Sequence, residues 1–309
     1  MADPHLPRAA RAPAIPDPRH TAIRVKRWRK ALQWTAGLAV LAVLAWQIGS
    51  GDIWEHLRTL NPLDLALALG CAVVANGLSA LRWRQIADDF GCAAPTSGFL
   101  VRYAQGVCLS TVLPGATLGG DAWRSAWLVG LGHSLTRASV TVLLDRVVGL
   151  WALAALALVG VWATQARLPE VLALAFAAIV GGPLVLLMLL GDRTPWVARL
   201  PRADAQLWWR AATWSFGVQA LSNAALWFSC RAVGVDLTMP DLLVLAGGLF
   251  IAAALPLSVF GFGSREAAAA WLFPLFGVAA DQGVAASIAF GLLGTLQGVL
   301  YLPLWWRRH

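Results

Sequence analysis

The chain has 309 residues, of which 59% are hydrophobic and only 13% charged, too few charges to cover a water-facing surface; a soluble globular protein is excluded and an integral membrane protein expected. Seventeen tryptophans and a mean hydropathy of +0.66 agree, since indole rings favour the membrane interface. The net charge of +8 gathers at the ends and in the loops with no basic stripe interleaved with aromatics, which suits an anionic membrane and argues against a nucleic-acid partner.

In chain order, residues 1–30 read as a disordered, basic, cytoplasmic tail: Pro4, Pro7, Pro13, Pro16 and Pro18 leave no apolar face to bury. The first apolar run starts near residue 31 without a small-residue cleavage site after it, so it reads as a retained helix rather than a signal peptide. Residues 31–309 form one membrane domain. Runs of about 17–25 apolar residues predict spans at 31–49, 63–83, 97–113, 138–163, 170–191, 207–230, 240–260 and 283–306, with shorter apolar pieces at 117–132 and 262–278. Arg24, Lys26, Arg27, Arg29 and Lys30 before the first span, and Arg82 and Arg84 after the second, put the N-terminus in the cytoplasm. The two short pieces either re-enter or cross. Crossing brings Arg193, Arg199 and Arg202 inside, as the charge bias favours. Arginine far outnumbers lysine, which suggests a GC-rich bacterial genome and a plasma (inner) membrane location.

The short pieces carry the chemistry. Leu113-Pro114, Gly119 and Arg124 are echoed by Leu255-Pro256, Gly261 and Arg265, the first three at an offset of 142. Paired, glycine- and proline-interrupted segments in two halves of a membrane chain point to a central site formed by an inverted repeat. Each break leaves unpaired N–H groups at the start of the next half-helix, which in lipid must face protein, water or a ligand. With the helix dipole they suit an anion, and an arginine in the first turns adds a charge that grips phosphate through two hydrogen bonds. Asp145-Arg146 lies deep in an apolar run, where a charge is costly and turns to a partner or a cavity. Asp145 is expected to orient Arg124 or Arg265, and Arg146 to face the site. The alternative is a purely structural ion-pair network. Gln219 and Asn223 share a helix face and read as glue between helices, Arg82 as an interfacial anchor, and Asp88-Asp89 as solvated loop charges.

PGATLGGDAWR, LLDRVVGL and LPLSVFGFGSREAA together resemble the lysylphosphatidylglycerol synthase transmembrane-region family, described as flippase-like. The resemblance covers most of residues 30–306. It implies an all-α polytopic membrane protein that handles or flips phospholipids or other polar lipids. By the match, Gly119, Gly120, Asp121, Arg124, Asp145, Arg146, Gly261, Gly263, Arg265 and Glu266 are the substrate-binding positions. Full-length synthases of this kind also carry a soluble aminoacyl-transfer domain, whereas here the sequence stops at Trp305-Trp306-Arg307-Arg308-His309; the membrane half alone is expected.

The expected architecture is therefore about eight spans plus two short broken or re-entrant half-helices in an inverted repeat. The expected function is translocation of lipids with a phosphate-bearing or anionic headgroup. No cofactor or metal is expected: Cys71, Cys92, Cys108 and Cys230 form no CxxC, the histidines form no ligand cluster, and no GxxxxGK[ST] occurs. The alternatives are an intramembrane transferase on a lipid-linked substrate, for which Asp52 and Glu55 are the candidate acids, or a scaffold for a separate lipid-modifying enzyme.

Overall fold

A computed structural model describes residues 50–112, 117–190, 205–254 and 263–305. Among these the chain is all helical: α1 Ser50–Arg58, α2 Pro62–Asp89, α3 Thr96–Val112, α4 Thr117–Gly130, α5 Leu135–Ala163, α6 Glu170–Leu190, α7 Ala205–Ala232, α8 Met239–Ala254, α9 Ser264–Leu272 and α10 Ala280–Leu300, with single 3₁₀ turns at Phe273–Phe276 and Leu302–Trp305. The expected span 31–49, the tail before it and the position of Gly261 lie outside the described residues.

The helix ends follow local chemistry. Asn61 caps α2 by accepting from the Leu63 N–H at 2.9 Å, with Pro62 in the first turn, where its missing N–H costs nothing. Ser134 caps α5 by accepting from the Arg137 N–H at 3.4 Å, just after Gly132 turns the chain at φ 95°, a backbone angle that favours glycine. The Leu-Pro interruptions fall where two helices stop: α3 ends at Val112 and α4 begins at Thr117, while α8 ends at Ala254 and α9 begins at Ser264.

α2, α5 and the segment Ala280–Trp305 are long and apolar enough to cross a membrane. Their outward residues are apolar, as lipid requires: Leu63, Val74, Leu143, Val159, Trp162, Leu296 and Val299 are all exposed.

The principal packings fall into corresponding sets. α2 lies against α7. Around that pair, α5 on α8 matches α3 on α10, α4 on α5 matches α9 on α10, α3 on α4 matches α8 on α9, and α1 on α10 matches α6 on α5. Helices α7 and α8 start at Ala205 and Met239, each 143 residues after α2 at Pro62 and α3 at Thr96. Small residues permit the close contacts. A Cβ on Gly120 would stand 2.5 Å from the Gly106 carbonyl oxygen, and one on Gly247 would stand 2.5 Å from Ala157 Cβ.

Candidate functional site

The charged residues of α2, α4 and α5 converge in one buried chain. Asp145 on α5, 2% exposed, accepts from Arg82 Nε at 2.8 Å and from Arg124 Nη2 at 2.7 Å. Arg82 also donates to Ser215 Oγ on α7 at 2.9 Å, and its guanidinium lies 3.1 Å from where a Cβ on Gly149 would stand. Arg124 Nη1 lies 3.6 Å from Asp121 Oδ1, and Arg146 donates to both Asp121 oxygens at 2.6 and 3.1 Å. Three guanidiniums therefore meet two carboxylates. Among these five side chains one positive charge is in excess.

Aromatic rings hold this chain in place. Trp83, Phe99 and Trp127 pack edge to face, and Trp83 donates its indole N–H to Thr141. The Arg124 guanidinium lies 4.3 Å above Trp83 and 4.7 Å above Tyr103, an arrangement that favours the cation in a dry setting. Its Nε is buried without a hydrogen-bond partner.

Arg124, Asp121 and Arg146 line a cavity of about 370 Å³ between α2, α3, α4, α5, α7, α8 and α10. Asn76, Tyr103, Ser110, Thr111, Ser222 and Gln297 add polar groups to a wall that is otherwise mostly apolar. Arg124 is 4% exposed, whereas the Arg146 side chain is 45% exposed. The first is part of the framework and the second reaches open space. A cavity with a mostly apolar wall and a few convergent polar groups is the usual form of a small-molecule or headgroup site.

The second motif forms its own cluster. Gly263, at φ 106°, opens α9; its N–H is met by Glu266 Oε2 at 2.6 Å, so a carboxylate of the chain itself occupies that N-terminal donor. Glu266 Oε1 accepts from Arg265 Nη2 at 2.6 Å and from Ser287 Oγ at 3.0 Å, and all three side chains are buried. Arg265 lies over Phe290, whose ring lines the cavity.

The structure thus brings Asp121, Arg124, Asp145 and Arg146 together, with Gly120 in the cavity wall and Gly119 half-buried beside it on α4. Asp145 orients Arg124, while Arg265 pairs with Glu266. Arg82 is the residue that sequence reasoning missed: it is 5% exposed and bound to Asp145, in the interior of a helix that continues to Asp89. Asp88 and Asp89 therefore belong to the last turn of α2, where Asp88 pairs with Arg84 at 3.4 Å. Gln219 donates to the Gly149 carbonyl at 2.9 Å and ties α7 to α5, as glue between helices. Glu55 is exposed on α1, where its neighbour His56 meets Asp281 at 3.1 Å; the Asp52 side chain lies outside the described residues.

Residues 32–300 match the family model for the lysylphosphatidylglycerol synthase TM region. No curated protein matches the chain.

Proposed function

The chain belongs to the lysylphosphatidylglycerol synthase transmembrane-region family, membrane proteins related to lipid modification or flipping, and from that premise we propose that it translocates lipids with anionic, phosphate-bearing headgroups through the cavity between α2, α3, α4, α5, α7, α8 and α10. One observation carries this: Asp121, Arg124 and Arg146 line the cavity, Arg124 held in a dry aromatic frame and Arg146 reaching the open space, and the chain of five that they form with Asp145 and Arg82 behind them carries one positive charge in excess. A phosphodiester brings the single negative charge that balances them. Arg146 and Arg124 are matched to phosphate by their forked donors.

In this account Gly119, Gly120, Asp121, Arg124, Asp145 and Arg146 form the headgroup site. Gly263, Arg265 and Glu266 hold the corresponding interruption of the second half, of which Gly261 lies outside the described residues. The paired helix packings, and the 143-residue spacing of α7 and α8 from α2 and α3, support an inverted repeat of α1–α5 and α6–α10. About eight spans and two short half-helices, in a bacterial plasma membrane with the N-terminus inside, complete the proposal. Binding of radiolabelled phosphatidylglycerol to the purified protein tests the site. Arg146→Gln is expected to remove most binding while the protein stays folded; binding equal to the native chain would refute the assignment.

A further inference from the structure

A second polar depression lies where the last turns of α2 meet the first turns of α7, outside the charged chain described above. It measures about 210 Å³ and is lined by Leu81, Arg84, Gln85, Asp88 and Asp89 from α2 and by Arg210 and Trp214 from α7. Gln85 is 7% exposed, yet neither its Oε1 nor its Nε2 has a hydrogen-bond partner. Leaving a buried amide unmet at both ends costs stability, and such groups in folded proteins are almost always satisfied by something. Gln85 lines the depression, so whatever fills that space meets both ends of the amide.

We propose that this depression binds a small zwitterion carrying a primary ammonium and an oxyanion. Gln85 Oε1 needs a donor and Nε2 an acceptor, and one molecule with both groups supplies them together. The wall has the same double character: Asp88 and Asp89 bring two negative charges and Arg84 and Arg210 two positive ones, Asp88 lying 3.4 Å from Arg84, and the four charges cancel. An anion alone would meet two carboxylates and a cation alone two guanidiniums. A metal ion fits poorly beside the arginines, and among the described residues no group of three or more histidine, cysteine or acidic side chains gathers to hold one. The volume equals about seven waters, room for a phosphoethanolamine-sized group. Exposed Trp208 and Trp209, on the α7 turn beside Arg210, set this end at the level where headgroups lie. The ligand is therefore a free zwitterion from solution or the headgroup of an amine-bearing phospholipid. The site stands apart from the translocation cavity and does not depend on it.

The test uses the full-length protein in nanodiscs of phosphatidylglycerol doped with phosphatidylethanolamine or with phosphatidylcholine, whose methylated nitrogen donates no hydrogen bond. Lipid retained after extraction is counted by native mass spectrometry, with O-phosphoethanolamine added in solution as a competitor. The native chain should retain the ethanolamine lipid, or bind the soluble zwitterion, about tenfold more tightly than Gln85→Leu. Loss of retention on adding O-phosphoethanolamine identifies a free zwitterion as sufficient; retention that it does not disturb identifies the lipid. Gln85→Leu removes an unmet amide and should melt no lower than the native protein, which separates lost binding from lost folding. Equal retention of ethanolamine and choline lipids with no binding of the soluble zwitterion, or a Gln85→Leu protein that binds as the native does, would overturn the proposal. So would saturable Mn²⁺ binding that Asp89→Asn abolishes.

Discussion

Replacing Asp145 by asparagine should cost more than any other single change in the charged chain. The carboxylate accepts from Arg82 at 2.8 Å and from Arg124 at 2.7 Å, and all three side chains are buried. Asparagine has the same shape but one acceptor oxygen and no charge, so at least one buried guanidinium loses its counter-ion. Breaking a buried ion pair from one side costs about 3–5 kcal/mol. Ser215, which still accepts from Arg82, and Asp121, 3.6 Å from Arg124, hold the loss to the lower part of that range. At a few degrees per kcal/mol, the melting temperature falls on the order of 10 °C. Intrinsic-fluorescence melting of detergent-purified protein measures it. Arg146→Gln is the comparison: that pair is half exposed, and its loss should cost about 1 kcal/mol or less. A fall for Asp145→Asn no larger than that for Arg146→Gln would refute the claim that Asp145 anchors the framework.

The glycine contacts separate packing from propensity: Gly120→Ala should destabilise by about 1–3 kcal/mol, because its Cβ would meet the Gly106 backbone, whereas Gly77→Ala, with nothing within 4 Å, should be neutral or slightly stabilising in the same melting assay. Arg124→Lys should lose most headgroup binding, since an ammonium lacks the forked donors that reach Asp145 and phosphate together; radiolabelled lipid binding measures this. Cys92, in the turn after α2, has its thiol raised above the ordinary value, chiefly by burial and against the opposing pull of Arg137. Its thiolate fraction at any pH therefore lies below that of a free thiol, and maleimide labelling monitored by mass spectrometry should keep rising as pH passes the ordinary thiol range. Cys71, partly exposed on α2, should label first.

Most helices were legible because apolar length and helix length coincide: the run 97–113 is the helix Thr96–Val112, and 170–191 is Glu170–Leu190. The short piece at 117–132 also holds: it is the helix Thr117–Gly130, which begins just after Pro114 and Gly115 in the sequence. Arg82 shows what hydropathy misses. A run ends, for an averaging scale, at the first cluster of arginines, yet α2 continues because Arg82 finds Asp145 and Ser215 on neighbouring helices. A hint was present in the sequence. Ser79 and Arg82 are three residues apart and both face inward, the spacing of a polar stripe on one helix face. Asp145 and Arg124 were found because a lone carboxylate in an apolar run has few ways to be satisfied. Which arginine it would choose was not legible, since that depends on how α4 and α9 lie against α5. Glu266 could have been read as a cap from its position three residues after Gly263, a pattern that ties the carboxylate to the backbone of its own helix.

Lipid exchange in proteoliposomes tests the central claim most directly. Phosphatidylglycerol carrying a fluorescent label and an impermeant quencher report the protected inner-leaflet fraction over time, for the native chain and for Arg146→Gln reconstituted at equal density. Exchange faster than in protein-free vesicles, and lost in Arg146→Gln, is the result predicted here. Exchange that is absent for every anionic lipid tried, or undiminished in Arg146→Gln, would contradict a headgroup path through this cavity.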